Sequence, residues 1–399
     1  MAFRRLNELE VTGRRVFVRV DFNVPLGPDG SVTDDARIAA SLPTLRYLIE
    51  KGARLVVASH LGRPKGKRDP KQSLRPVHAL LERYLRRPVR FAEGIVGAEA
   101  EALSRGLQDG EVLLLENLRF DPREEANDPA MSRALAALAD AYVNDAFGSA
   151  HRAHASTAGI AACVNDHAAG FLMERELNAL GRLLESPERP FLAVLGGAKV
   201  SGKIDVLRHL LPRVDGLLIG GGMMYTFLRA RGIATGRSLV EEDRIETARE
   251  LLESREGAAK ILLPSDCRVA EDASGRDPGR VVAAGSIPPE QAGVDIGPAT
   301  LASMGSSLGE ARTVFWNGPM GIFEVPAYAE GTIGIAREVA KATKRGAFTV
   351  VGGGDSLAAV ARAGVERQFS HCSTGGGASL EFLEGRVLPG VAALEGVTP

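Results

Sequence analysis

At 399 residues the chain is long enough for two or three domains of ~100–200 residues each. Hydrophobic residues make up 45% and charged residues 25%, a globular balance that excludes intrinsic disorder. Lys and Arg together number 49 and Asp and Glu 50, a net charge of −1, so no overall basic field exists to hold a nucleic acid or an anionic membrane surface.

Short apolar runs recur from the start of the chain. In the first half they are Val16–Val20, Leu55–Ala58, Val112–Leu115 and Ala141–Val143. Ile38, Leu42, Leu45, Leu48 and Ile49 repeat at helical spacing, with Pro43 inside the pattern. That helix either starts near Leu42 or kinks there. Ala134, Leu135, Leu138 and Ala139 mark a second helix, and Phe171–Leu184 reads as one that bridges two domains. The split is expected near Leu180 to Pro190, a polar stretch with two prolines, giving domains of residues 1–180 and 181–389. Second-half runs are Phe191–Leu195, Gly216–Ile219, Lys260–Leu263, Thr313–Trp316 and Ala347–Val351, with a helical pattern at Ile204, Leu207, Leu210 and Leu211. Apolar runs of this kind belong to strands buried on both faces. Their alternation with helices reads as α/β with parallel sheets, two rather than one because a single open sheet seldom holds so many strands.

In parallel α/β sheets, ligands sit outside the carboxyl ends of the strands. In the first half those ends carry Asp21 and Asn23, then His60 and Arg63, then Arg119, then His151, Arg152 and His154. Arg37 lies at or before a helix start. Arginine at several strand ends suits a small, multiply charged anion, because its planar fork matches carboxylate and phosphate. In the second half the ends are glycine: Gly196-Gly197, Gly220–Gly222, Gly352–Gly354 and, further on, Gly375–Gly377. Glycine lets the backbone approach a ligand and aim its amides at phosphate oxygens. Of the 49 cations only 9 are lysine, and two of these, Lys199 and Lys203, follow Gly196-Gly197. If a helix starts there, two cations share its positive end, which is unfavourable unless an anion sits between them. Gly197 to Lys203 fits G-x-x-x-x-G-K, but Ile204 stands where a Walker loop places its Ser or Thr. A Mg²⁺ ion would be held elsewhere, and Asp355 after the triple glycine is the candidate.

The other readings are plainer. Cys163, Cys267 and Cys372 are far apart and odd in number, which points to free thiols and away from disulfides or zinc. His78, His167 and His209 lie in amphipathic stretches and read as structural; Asp140 and Asp145 read as caps. The N-terminus has no apolar stretch behind its two arginines, and no run approaches the ~18 apolar residues of a membrane span. The expectation is a cytoplasmic protein with no nucleic-acid or membrane partner.

Eight segments together resemble the phosphoglycerate kinase family. They are Arg19–Pro25, Ser59–Pro64, Leu114–Phe120, Phe147–Ser156, Gly196–Ile204, Trp316–Glu324, Gly352–Ser356 and Ser373–Ser379, in the family's order and across nearly the whole chain. The resemblance implies two Rossmann-like three-layer α/β/α domains joined by a helical hinge, with residues 390–399 returning to the first. It implies reversible phosphoryl transfer between ATP and the carboxylate of 3-phosphoglycerate, with Mg²⁺ as cofactor and a monomeric enzyme. Matched by motif, Asp21, Asn23, Arg37, His60, Arg63, Arg119 and Arg152 resemble the acid-substrate residues. Gly197, Lys199, Lys203, Gly220, Gly221, Gly293, Asn317, Pro319, Glu324, Gly352, Gly353, Gly354, Asp355 and Ser356 resemble the nucleotide site, with Glu324 on the ribose and Asp355 on the metal. Arg37, Lys203, Gly375 and Gly376 resemble the groups that neutralise the phosphoryl in flight.

Departures are few. Ser356 and Ser149 replace usual threonines and keep the hydroxyl. Gly202 replaces a polar residue between the two lysines and is expected to loosen a first helical turn by ~1 kcal/mol relative to Ala. Reacting atoms must approach within ~3–3.5 Å, so closure of the hinge by both substrates is expected, and scattering with each ligand and with both would test it. A non-catalytic sensor on the same fold would lack Arg37, Lys203 or Asp355; all three are present.

Overall fold

The computed structural model describes residues 3–396. Contacts divide the chain into two compact units: one runs to Asn178 and includes the segment from Val387, the other is Ala179–Arg386. The helix Phe171–Glu185 crosses that division. In the first unit the Gly390 amide donates to the Ala150 carbonyl at 2.8 Å, which seats the short helix Pro389–Ala392. Of the segment 390–399, residues 397–399 lie outside the described residues.

The first unit is built on six parallel strands: β1 (Arg15–Val20), β2 (Arg54–Ala58), β3 (Val89–Phe91), β4 (Val112–Leu114), β5 (Ala141–Asp145) and β6 (His167–Ala169). Their order is β3-β4-β2-β1-β5-β6. Val16, Phe17 and Val18 are all fully buried although they alternate between faces, as expected of a strand covered on both sides. The strand order reverses at β1, which pairs with β2 and β5. That reversal opens a crevice at the carboxyl ends. Register makes the ends level: Arg19 stands between Ala58 and Asn144.

The second unit repeats the plan with β7 (Phe191–Leu195), β8 (Gly216–Ile219), β9 (Ile261–Leu262), β10 (Asp266–Ala270), β11 (Arg280–Ala283), β12 (Ala292–Ile296), β13 (Thr313–Asn317), β14 (Phe348–Gly352) and β15 (His371–Ser373). Six of these form a parallel sheet, β15-β14-β13-β7-β8-β9, reversing between β7 and β13. The other three form a separate antiparallel sheet, β11-β10-β12. Asn317 is level with Leu195 and with Gly352, so Gly196, Gly318 and Gly353 leave the sheet side by side.

The expected α/β architecture with parallel sheets holds, with three corrections of detail. The helix Ala36–Glu50 runs through Pro43 and does not start near Leu42. The helix after Gly196-Gly197 begins at Ile204, so Lys199 lies in a loop and Lys203 just before the first turn. Gly202 is therefore outside that turn and cannot loosen it; a Cβ there would meet nothing within 4 Å.

Asp145, fully buried at the end of β5, holds the start of the Phe171–Glu185 helix. Its Oδ1 accepts from the amides of Leu172 at 2.8 Å and Met173 at 3.2 Å. Burial pushes its carboxyl up to about 7, against the hydrogen bonds from Thr44, Met173 and Leu172. Between the ordinary carboxyl range and that value, the fold keeps a proton that the unfolded chain has lost. This contribution to stability is complete at low pH and falls as pH rises to about 7. Asp145→Asn has no such proton to lose. Its stability relative to the parent is expected to rise between pH 5 and pH 8, by at most about 3 kcal/mol. Thermal melts of both proteins at the two pH values check this; a pH-independent difference would refute it.

Candidate active site

In the first unit, the carboxyl edge gathers positive charge. Arg37, in the first turn of its helix, donates to Asp21 Oδ2 at 2.7 Å, and the Asn23 amide donates to Asp21 Oδ1 at 3.1 Å. Asn23 Oδ1 accepts from the Gly62 amide at 2.9 Å, which ties the loop after β1 to the loop after β2. Arg119, only 3% exposed, donates to the Gly62 carbonyl at 2.8 Å and pairs with Glu125 at 3.1 Å. Arg152 donates to the neighbouring His151 ring at 3.1 Å.

These cations perturb one another. Burial lowers the Arg119 guanidinium to about 10; Glu125 opposes this, and Arg152 and Arg19 add to it. His154 is brought down to about 3 by burial, then by Arg19, Arg119 and Arg152. His60 is held well below its ordinary range by burial, then by Arg19, Arg119, His154 and Arg37. Both imidazoles are therefore neutral around a set of guanidinium groups, the electrostatics of a site waiting for an anion. Arg63 stands exposed on the loop after β2, and among the described residues no hydrogen bond or ion pair ties it to this cluster.

Beneath the cluster lie two groups that the sequence reading passed over. Arg19 and Glu124 are both fully buried, linked through Ser156. A charged residue inside the apolar run of β1 was a usable signal for Arg19, since buried charges are rare unless paired. Glu124 gave none, because it sits in a charged stretch that reads as surface.

In the second unit, the glycine loops enclose a cavity of ≈ 330 Å³, a size suited to a small-molecule site. Gly197, Gly221, Gly293, Pro319, Glu324 and Asp355 line it, together with Tyr225 and Asp295. A Cβ on Gly293 would fall 1.8 Å from Tyr225 Oη, and one on Gly221, at φ +65°, 2.5 Å from the Gly197 amide nitrogen. Glycine at these positions lets the wall close. Asp295 accepts from the amides of Gly331 at 2.7 Å and Ile296 at 2.9 Å, and burial pushes its carboxyl up to about 7. Neither Tyr225 nor Asp295 was marked by the motifs.

Lys203 is half-buried beside this cavity. Its Nζ donates to the Asn317 carbonyl at 2.8 Å and to Asn317 Oδ1 at 2.5 Å. Burial lowers the ammonium to about 7, and Asp355 opposes the shift through space. Asn317 Nδ2 in turn donates to the Gly352 carbonyl at 2.8 Å, and Ser356 Oγ accepts from the Gly318 amide at 2.6 Å. Gly353 has φ +92° and Gly354 opens the helix Gly354–Ala363, on which Asp355 is exposed.

The structure separates some residues that the motifs had grouped. Lys199 is exposed in its loop and does not line the cavity. Gly220 packs behind the wall, where a Cβ would meet Met320 Sδ at 2.4 Å. The Gly375 amide is directed inward, donating to Ser373 Oγ at 3.3 Å, while Gly376 adopts φ +55° ahead of the helix Gly377–Leu383. This glycine run also follows a strand, β15, which is too short to be read from its apolar content.

Residues 6–386 match the family model described as Phosphoglycerate kinase. A protein named phosphoglycerate kinase from Desulforudis audaxviator is 56% identical over 395 residues, covering 99% of this chain and all of its own. The one from Chlorobium luteolum is 52% identical over 397 residues, with the same coverage. Among solved structures, that of phosphoglycerate kinase from Coxiella burnetii superposes with a TM-score of 0.89 at 40% identity, over 98% of this chain and 99% of that one. The enzyme from Pyrococcus horikoshii gives 0.86 at 34% identity, over 98% of each chain. With two parallel six-stranded sheets, an arginine-rich edge and a glycine-walled cavity, the chain belongs to the phosphoglycerate kinase family.

Proposed function

We propose the following division of labour for the family's reaction, the reversible transfer of a phosphoryl group between ATP and the carboxylate of 3-phosphoglycerate. Asp21, Asn23, Arg37, His60, Arg63, Arg119 and Arg152 bind the acid. The cavity walled by Gly197, Gly221, Gly293 and Pro319 takes the adenosine, with Glu324 at the ribose. Lys199, Lys203 and the turn Gly352–Ser356 receive the phosphates. The acceptor is already a carboxylate, so no general base is needed, and rate depends on alignment and on charge neutralisation. Arg37, Lys203 and the Gly376 amide supply that neutralisation.

One observation carries this reading: an ammonium beside the glycine-walled cavity held, among the described residues, by two neutral oxygens of Asn317. Such a cation is stabilised by an incoming anion.

Asp355 fits a Mg²⁺ site. It is a hard oxygen donor on the cavity wall, with no hydrogen bond or ion pair among the described residues, and phosphate oxygens and water would complete the shell. Bound there, Mg²⁺ would screen the phosphate charge. The enzyme acts as a monomer in the cytoplasm. Cys163 and Cys267 are free thiols, and exposed large apolar side chains among the described residues are few: Leu239 at the cavity, Leu262, Val281 and Val387.

The test is a coupled assay of ADP formation with 3-phosphoglycerate against a panel of other small acids. Preference for 3-phosphoglycerate is expected; preference for another acid would overturn the assignment.

A further inference from the structure

We propose that Arg19, which no ligand can reach, is a positioning residue that locks His60 as the neutral Nε2–H tautomer. The inference rests on the reading of His60 as an acid-substrate residue. Arg19 lies in β1, between β2 and β5, and is 0% exposed. Its Nη2 is 3.2 Å from His60 Nδ1. A guanidinium only donates, so Nδ1 must accept and carries no proton. The single proton of a neutral imidazole then sits on Nε2. Among the described residues Nε2 has no hydrogen-bond partner, so it remains a free donor at the strand ends.

The direction of the contact is enforced from behind. Arg19 Nε donates to Ser156 Oγ at 2.8 Å, and Nη1 donates to the Val20 carbonyl. Ser156 Oγ donates to Glu124 Oε1 at 2.5 Å, and the Ser156 amide donates to Glu124 Oε2 at 3.0 Å. With its proton committed to the Glu124 carboxylate, the serine hydroxyl offers Arg19 a lone pair only. The chain Glu124, Ser156, Arg19, His60 therefore runs one way. It aims Nη2 at the imidazole and presents the substrate acid with an N–H instead of a lone pair, which would repel it. The arrangement gives a donor without adding another full charge to a crowded cationic edge.

The ring-nitrogen shifts of His60, read by ¹⁵N NMR on the ligand-free protein at pH 8, test the inference. The expected result is an unprotonated, pyridine-type Nδ1 and a protonated, pyrrole-type Nε2. A protonated Nδ1 would overturn it. In Arg19→Met the lock is lost: the shifts should average between tautomers, and KM for 3-phosphoglycerate should rise about tenfold while KM for ATP holds. Unaltered shifts in that variant would equally overturn it. Should Arg19→Met fail to fold, Ser156→Ala, which frees Arg19 from its rear contact, gives the same readout in a milder form. The shifts need no substrate, so they stand apart from the substrate reading. That reading is tested by His60→Ala, where an unchanged KM for 3-phosphoglycerate would remove it.

Discussion

Lys203→Ala is expected to lower kcat by ~10²–10³, about 2.7–4 kcal/mol of transition-state stabilisation, with a much smaller change in KM for 3-phosphoglycerate. The ammonium is held by two oxygens of Asn317, neither of which is charged. Burial has already brought it to about 7. At pH 8 it is therefore mostly neutral in the free enzyme. A phosphate beside it favours the ammonium, so binding of ADP should take up about one proton. The sign follows: ADP binding weakens as pH rises above about 7, because the proton must then be drawn from a more dilute pool. Calorimetric titrations at pH 8 in buffers of different ionisation enthalpy measure the uptake, and Lys203→Met should abolish it. Arginine should not substitute: a Cβ on Gly318 would lie 2.5 Å from Nζ, a measure of how little room the site leaves for a guanidinium. Near-normal turnover in Lys203→Ala, or proton uptake that survives in Lys203→Met, would refute the assignment.

The second large effect belongs to Arg37. Arg37→Ala is expected to reduce kcat by ~10²–10³ while KM for ATP stays close to the parent's. The guanidinium is a third exposed and shares only one of its arms with Asp21, so the rest of its fork is available to a transferring group. Removing it also leaves Asp21 buried with the Asn23 amide alone, a loss of about 1–2 kcal/mol once the pair's partial exposure is allowed for. Asp21→Asn separates the two roles. It breaks the same ion pair with a comparable fall in thermal stability, yet keeps the cation, so kcat should stay within about tenfold of the parent's. Equal rate losses in the two variants would mean that Arg37 serves only to hold Asp21.

The long central strands were readable because burial on both faces writes itself locally. Val16–Val18 and Phe191–Leu195 are apolar without alternation, as a covered parallel strand requires. The glycine runs were readable for a similar reason, since a chain that must turn sharply at a strand end uses residues tolerant of positive φ. What escaped were elements whose partners supply most of the burial. β3, β6 and β15 have three residues each, too few for a period to register. The antiparallel sheet escaped because β11 is largely exposed and its apolar stretch, Val281–Ala284, is short. The start of the helix at Ile204 was misjudged because lysine spacing alone cannot show where the first turn closes.

Family, fold class and the residue types at the strand ends were determined by the sequence itself, because each is a property of a short segment and of its order along the chain. Which of those residues meet was decided only by the tertiary structure. Arg19 and Ser156 are 137 positions apart, and Lys203 and Asn317 are 114 apart. No local pattern relates such pairs. They are neighbours because the strand order reverses at β1 and between β7 and β13, and parallel register brings the strand ends level. The net charge of −1 therefore says nothing about these sites: the fold, by levelling the strand ends, sets where the cations stand.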